Sequence, residues 1–230
     1  MGRSENGQEA TPKVTRLSEY EGQVAVRIWA TQLDSAYTAA QAKRVVSEWE
    51  EFFSVGPSSI RELEFVSRTP KRLFAALGGQ TQLRSLNVKW GDYADLTPLG
   101  GMTQLRTLRL RGASAVEDLR PLASLVHVQH LQIEGLRRVR DLSPIGSMTG
   151  VTSLDLGGNW MTPRVAHVES FGFLRRMPQL RELILHTIAA DDLDYSAILD
   201  LPNLTSVRVM EVRGMRPSHA VLKAETPWNG

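Results

Sequence analysis

One segment, LRTLRLRGASAVEDLRPL at residues 105–122, contains both of the patterns that determine the fold. It begins with apolar residues at its positions 1, 4 and 6, and it ends on the sequence DLRPL. The apolar pattern occurs six times, and the starts are 22, 23, 23, 29 and 24 residues apart. The six copies begin at Leu83, Leu105, Val128, Val151, Leu180 and Leu204. A spacing this regular indicates an internal structural repeat.

Two further marks establish the register of the repeat. The segment IRELEF at 60–65 starts 23 residues before Leu83 and adds a first copy. The second pattern recurs as DLTPL from Asp95 and DLSPI from Asp141, each 23 residues from its copy at Asp118. Because the aspartates recur together with the prolines, we interpret them as turn-forming residues rather than as a functional acidic row.

These motifs resemble the leucine-rich-repeat family, whose consensus L-x-x-L-x-L-x-x-N/C-x-L places its central x-L-x-L-x segment on a short strand. The resemblance covers about residues 60–210, and the DLxPL variant is similar to the short repeat of bacterial internalins. It implies an α/β solenoid with a curved parallel sheet on its concave face. The consensus Asn occurs only as Asn159, so we expect irregular turns after the strands. The other matching positions hold Gly91, Ala113, Leu136, Ile188 and Val212.

The alternation within each copy predicts which side chains form the core. In LRSLNV, Leu86 and Val88 should point inwards. Asn87 and Lys89 should point outwards. No repeat can bury its apolar face alone, so neighbouring repeats must share one core. The expected strand centres are Leu63, Leu86, Leu108, Leu131, Leu154, Leu183 and Val207.

The segment before the repeats has a different composition. Residues 1–18 are polar, and we expect them to be disordered. Residues 19–58 contain the alternating run QVAVRIWA and then a helix, expected from Asp34 as its N-cap to about Phe53. We predict that this strand and helix cap the solenoid, which would otherwise expose its core. A small separate domain is the alternative.

Two other regions depart from the repeat. The solenoid is predicted to span 59–213, and 214–230 to form a loose tail or to fold over the last repeat. The 29-residue interval marks a longer repeat in which Pro163 can begin a helix, so the extra length is expected to be helical and convex. Alternatively, exposed Trp160 or Arg164 contacts a partner at the rim of the sheet.

The composition narrows the possible functions. The chain has no Cys, which excludes disulfides and favours a reducing compartment, so we expect a cytoplasmic protein. Its 27 basic and 25 acidic residues give a net charge of +2, too small to indicate a nucleic-acid partner by itself. No apolar run approaches the ~20 residues that cross a bilayer, and the first residues lack a signal peptide's apolar segment. We expect no membrane segment.

The sequence offers no motif for catalysis. It lacks a P-loop, an H-E-x-x-H zinc motif and a G-x-S-x-G nucleophile turn. His127, His130 and His167 have no partners at metal-binding spacing, and the acidic run 191–194 lacks EF-hand spacing. We therefore expect no catalytic residue, no cofactor and no metal site.

The resemblance implies a binding function, since leucine-rich-repeat proteins mostly recognise other proteins through the concave face. Alternation assigns two outward columns to that face. The first column is Glu64, Asn87, Arg109, Gln132, Asp155, Ile184 and Arg208. The second is Val66, Lys89, Arg111, Glu134, Gly157, His186 and Met210.

These columns place Lys89, Arg109 and Arg111 on adjacent strands about 5 Å apart. Like charges at that spacing favour an acidic protein partner, unless Glu134 and Asp155 simply neutralise them. The predicted partner-binding residues are Lys89, Trp90, Arg109, Arg111, Gln132, Glu134 and Asp155. Two alternatives remain open: nucleic-acid binding through the basic part of the sheet, and an enzyme that uses the N-terminal segment. The oligomeric state is not predicted.

Overall fold

The computed structural model describes residues 11–159 and 164–229, and a nine-stranded parallel sheet runs through this part of the chain. The strands are β1 (Lys13–Val14), β2 (Ala25–Ile28), β3 (Glu62–Thr69), β4 (Ser85–Gly91), β5 (Thr107–Arg111), β6 (His130–Glu134), β7 (Ser153–Gly157), β8 (Ala166–Val168), β9 (Glu182–His186), β10 (Ile188–Ala190) and β11 (Ser206–Val209). The strands of the sheet follow one another in the order β1-β2-β3-β4-β5-β6-β7-β9-β11, and β8 and β10 form a separate pair.

Helices form the return path between strands. The α-helices are α1 (Ala39–Ser54), α2 (Lys71–Ala76) and α3 (His219–Glu225). The 3-10 helices are Leu17–Glu19, Leu77–Gly79, Thr97–Leu99, Arg120–Ser124, Ser143–Ser147, Gly172–Arg176 and Ser196–Ile198. Each repeat is therefore a short strand, a turn and a short helix, which is the unit of an α/β solenoid.

The predicted strand register is confirmed. Leu86, Leu108 and Leu131 lie directly opposite one another on β4, β5 and β6, and all three are buried. The first outward column is continuous from Glu64 on β3 to Arg208 on β11. Because side chains alternate between the two faces of a strand, its register determines which residues are buried and which are exposed. A one-residue slip would turn every leucine to solvent.

The turn-forming role of the recurring aspartates is also confirmed. The side chains of Asp95, Asp118 and Asp141 each accept a hydrogen bond from the backbone N–H two residues later, at 2.8, 2.8 and 2.7 Å. These bonds start the 3-10 helices, which carry Pro in their first turn. Ser170 and Asp194 make the same contact in the next two repeats, at 2.9 Å each. Asp194, the last residue of the acidic run 191–194, is thus part of the repeat pattern.

The start of the chain is more ordered than its composition predicts. Residues 11–18 include β1, and Val14 is buried, so the prediction of disorder is wrong for them. The reason is a parallel pairing with β2 and a hydrogen bond of 2.8 Å from Trp49 Nε1 to the carbonyl of Thr15. Residues 1–10 lie outside the described part of the chain.

Helix α1 begins later than expected. Its N-cap is Thr38, not Asp34, and Thr38 and Gln41 form a reciprocal capping box that satisfies two backbone N–H groups. Asp34 instead accepts a hydrogen bond of 3.0 Å from the N–H of Ala36 and closes a turn of its own. The buried face of α1, with Val45, Trp49 and Phe53, packs on the first repeats.

The longer repeat and the end of the chain also differ from expectation. The described part of the longer repeat contains β8, which pairs with β10, where a convex helix was expected. Trp160 and Pro163 lie outside the described residues, and Arg164 is exposed. Residues 214–229 are not a loose tail. Leu222 of α3 is buried, and Trp228 bridges to Val207, so this segment folds over the last repeat.

Candidate functional site

Most of the predicted partner-binding residues line one depression of about 580 Å³ on the solvent-facing, concave side of the sheet. It lies at the ends of β4, β5 and β6. Its lining is Lys89, Trp90, Gly91, Arg111, Gly112, Ser114, Gln132, Glu134, Gly135 and Asn159. Arg109 lines a smaller groove of about 160 Å³, which it shares with Glu64 and Asn87. Asp155 is not part of the lining.

The basic residues of this face have no internal counter-ion. Lys89, Arg109 and Arg111 are exposed, and within the described residues none of the three forms an ion pair. Arg111 lies directly opposite Glu134 on the neighbouring strand, yet their charged groups do not meet. Neither Glu134 nor Asp155 forms a direct ion pair with these cations, although the charge of Arg111 acts on Glu134 across the two strands.

The carboxylates are engaged elsewhere. Gln132 Nε2 donates to Glu134 Oε1 at 2.7 Å and to Asp155 Oδ2 at 3.0 Å. Gln132 lies on β6 between the basic strand β5 and Asp155 on β7. Both carboxylates are thus held on the side of the face away from β5.

Trp90 provides an apolar surface at the edge of the depression. It is 38% exposed, and the guanidinium of Arg68 lies 5.9 Å from its ring centroid, within cation–π range. Arg68 also pairs with Asp92 at 3.0 Å. Sequence reasoning missed Arg68, because a register shift between Phe65 and Arg68 brings it opposite Trp90.

His186 joins the acidic part of the face from β9. Its Nε2 lies 3.4 Å from Asp155 Oδ1, and its Nδ1 lies 3.1 Å from the hydroxyl of Thr187. One ligand atom each from Glu134, Asp155 and His186 lie within 4.8 Å of one another. We refer to these three residues as the Glu-Asp-His cluster.

Partial burial and neighbouring charges shift the pKa values of two residues of the Glu-Asp-His cluster. Burial raises the pKa of Glu134, and the nearby charge of Asp155 raises it further. The contact with Asp155 raises the pKa of His186 against the opposing effect of burial. Removal from water and mutual repulsion thus disfavour the bare Glu134 carboxylate, while the imidazolium gains a partner.

The backbone beside His186 is strained. Thr187 has a φ of 49°, a left-handed conformation that is uncommon for a β-branched residue. This conformation accompanies the contact between its hydroxyl and the imidazole, and its carbonyl accepts a hydrogen bond of 2.8 Å from Ala166. The orientation of His186 is therefore held by surrounding structure.

No helix in the ranges 11–159 and 164–229 is long and apolar enough to cross a membrane.

Comparison with known proteins bears on the fold. No family model matches the sequence, and no curated protein does either. Solved structures do match. Internalin C2 of Listeria monocytogenes is 24% identical with a TM-score of 0.50, over 66% of this chain and 62% of its own. The plant peptide hormone receptor RGFR1 in complex with RGF2 is 14% identical with a TM-score of 0.53, over 70% and 26%.

The structure of PEPR1 with AtPEP1 gives a TM-score of 0.53 at 18% identity, over 69% of this chain and 22% of the other. This chain spans less than two thirds of each of these three structures. Repeat spacing, strand register and structural likeness agree, and the chain has the leucine-rich-repeat fold, with internalins among its structural neighbours.

Proposed function

We propose that this chain is a non-catalytic protein-binding module that takes an acidic segment of a protein partner on the concave face of its sheet. The observation that carries the proposal is the group formed by Lys89, Arg109 and Arg111. These are three exposed cations on two adjacent strands, and none has an ion-pair partner among the described residues. We call this group the basic cluster.

The physical reason is an unfavourable charge arrangement in the free protein. Like charges side by side on neighbouring strands repel one another, and repulsion of that kind is relieved by an anionic ligand. Guanidinium groups bind carboxylates through two parallel hydrogen bonds, which adds geometric selectivity. Arg and Trp are also enriched among the residues that dominate binding energy at interfaces. Trp90 would supply the apolar contact next to the charged ones.

The structural neighbours support a peptide or protein partner. RGFR1 is a peptide hormone receptor whose structure contains RGF2, and PEPR1 was solved with AtPEP1. The chain spans about a quarter of each of these two proteins. A role as adaptor, inhibitor or recognition subunit fits the same surface, and the absence of Cys favours a reducing compartment such as the cytoplasm.

Two other functions, nucleic-acid binding by the sheet and catalysis by the N-terminal segment, have less support. The carboxylates of Glu134 and Asp155 interrupt the positive charge that would track a phosphate backbone. At the N-terminal segment, a depression of about 600 Å³ is lined by residues that already pair with each other. Arg44 bonds Glu48 at 2.8 Å, and Arg16 lies over the ring of Tyr37.

The test uses a fluorescent peptide rich in Asp and Glu, a matched peptide rich in Lys, and a single-stranded DNA oligonucleotide. Anisotropy titrations would compare the wild type with Arg109→Glu/Arg111→Glu. A control of equal charge change is Arg181→Glu/Arg213→Glu, since both residues are exposed and lie at the other end of the sheet. We expect the acidic peptide to bind the wild type and the control, and to lose affinity by about 100-fold or more for the double variant.

Two results would reject the proposal. One is equal affinity of the acidic peptide for all three proteins. The other is preferential binding of DNA with an affinity that falls steeply with salt, which would indicate a phosphate-binding face.

A further inference from the structure

The Glu-Asp-His cluster has the composition of a metal site. Three neighbouring strands, β6, β7 and β9, each contribute one ligand-bearing side chain to the same half-buried place on the sheet. We propose that Glu134, Asp155 and His186 bind a divalent transition-metal cation of the Zn²⁺ class. The three ligand residues differ from those of the basic cluster, although Glu134 lines the same depression as Lys89 and Arg111, and the proposal does not depend on partner binding.

The contact between Asp155 and His186 is the first argument. Asp155 Oδ1 is buried from solvent, and among the described residues it receives no hydrogen bond. It faces Nε2 of His186 at 3.4 Å, which is long for a hydrogen bond. Two ligands of a tetrahedral Zn²⁺, each ~2.0–2.1 Å from the ion, lie ~3.3–3.4 Å apart. The distance between Asp155 Oδ1 and His186 Nε2 thus matches the distance between two ligand atoms of a tetrahedral Zn²⁺ site.

The orientation of the imidazole is the second argument. Nδ1 of His186 lies 3.1 Å from the hydroxyl of Thr187 and can donate to it. In that tautomer Nε2 carries a lone pair, which is the form of imidazole that binds a metal ion. In the imidazolium form Nε2–H faces Asp155 instead, so a bound ion takes the place of that proton. Histidine ligands typically have the second ring nitrogen held in this way by a hydrogen bond.

Gly157 makes the arrangement possible. It lies directly between Glu134 and His186 in the second outward column. A Cβ atom at this position would stand 2.2 Å from Cε1 and 2.4 Å from Nε2 of the His186 ring. The imidazole therefore leans across the glycine towards Asp155, in space that any other residue would fill.

The donor set selects the class of cation. One imidazole and two carboxylates suit Zn²⁺ and its neighbours in the first transition row, whereas Ca²⁺ and Mg²⁺ prefer oxygen ligands alone. The three ligand atoms lie within 4.8 Å of one another, whereas the ligands of a tetrahedral Zn²⁺ lie about 3.4 Å apart, so the side chains must close on the ion when it binds. Arg111 and Arg208 act on the cluster from either side and reduce its attraction for a cation.

Two other histidines provide contrast. His167 lies 2.9 Å from Asp191, and His219 lies 3.4 Å from Glu211. Each pair lacks a third ligand, because in the described part of the chain the Glu-Asp-His cluster is the one group of three within reach of a single ion. Asp191 is moreover already bonded to Arg140.

The experiment titrates Zn²⁺, and Co²⁺ as its visible probe, into full-length protein stripped with a chelator. Calorimetry should show one site, Co²⁺ should give visible absorption of a low-symmetry site, and Zn²⁺ should raise the unfolding midpoint. His186→Ala and Gly157→Ala should each weaken binding by about 10-fold or more. Arg208→Gln should strengthen it, since one repelling charge is removed.

Matched controls keep the result interpretable. His167→Ala removes a paired histidine elsewhere and should leave Zn²⁺ binding unchanged. Gly101→Ala adds a methyl group in ordinary contact, with its nearest neighbour at 3.5 Å, and should also bind normally. If Gly157→Ala fails to fold, Asp155→Asn takes its place. Wild-type protein that binds no Zn²⁺, or His186→Ala that binds it as tightly as the wild type, would overturn the proposal. Neither result bears on binding of the acidic peptide.

Discussion

The substitution Leu108→Ala tests the packing of the solenoid core. Leu108 is fully buried on β5, and its neighbours in the column, Leu86 and Leu131, are buried as well. Removing a buried leucine side chain loses its transfer free energy and leaves a cavity, at a cost of about 2–5 kcal/mol. Both adjacent strands are fixed by ladder hydrogen bonds, so the site cannot collapse and the loss should lie in the upper half of that range.

For a chain of this length, a loss of about 3.5–5 kcal/mol corresponds to a decrease in Tm of about 7–20 °C. Thermal and urea unfolding followed by circular dichroism would measure it. The matched control is Leu199→Ala, because Leu199 is 41% exposed and should lose less than about 1 kcal/mol. Thr107→Ala, next to Leu108 and facing outwards, should also have a small effect. Equal losses at Leu108 and at either control would refute the assigned register.

Two other predictions concern the ends of the chain and its response to acid. Deleting 1–18 should lower the unfolding midpoint, because it removes β1 and the acceptor of the Trp49 hydrogen bond. Deleting 1–58 should cause aggregation, which light scattering measures. A soluble and cooperatively folding fragment 59–230 would contradict the proposed cap. Hydrogen bonds from Ser196 lower the pKa of Asp194, so its contribution to stability is complete above the unfolded pKa of about 4 and is lost as the pH falls through the lower folded value. Asp194→Asn should therefore flatten the acid limb of urea midpoints plotted against pH, and an unchanged slope would show that this side chain does not titrate with folding.

The strand register could be predicted from sequence because it depends on one local rule. Alternation along a strand has a period of two, and the repeat aligns the strands, so Arg109 and Gln132 are opposite one another as expected. The rule fails where the backbone departs from regular pairing. No sequence feature predicts the register shift between Phe65 and Arg68, and this shift places Arg68 beside Trp90.

The helix start shows a different kind of failure. Asp34 and Thr38 are both acceptable N-cap residues, and residue type alone favours Asp34. The deciding feature is Gln41, whose side chain accepts from the backbone of Thr38 at 2.8 Å. That reciprocal contact was available in the sequence as T-x-x-Q and outweighs the intrinsic preference for Asp.

Sequence analysis missed the Glu-Asp-His cluster although it placed the three residues correctly on the sheet. The second column placed Glu134, Gly157 and His186 side by side, as the structure does. A search for metal motifs by spacing along the chain cannot find ligands that lie 21 to 52 residues apart. The signal was the glycine between two ligand-type residues, because a missing side chain lets its neighbour cross to the next strand.

We expect Gln132 to control whether the basic cluster is available to the proposed partner. Arg111 and Glu134 lie directly opposite on adjacent strands, where an ion pair would be expected, but Gln132 Nε2 holds the Glu134 carboxylate at 2.7 Å. Gln132→Ala frees Glu134 to turn to Arg111, so the affinity for the acidic peptide should fall by about 3- to 10-fold although no cation is removed. The control is Gln129→Ala, an exposed glutamine that precedes β6. Anisotropy at low and physiological salt measures both. Unchanged or higher affinity for Gln132→Ala would mean that the carboxylates do not compete with the partner for these arginines.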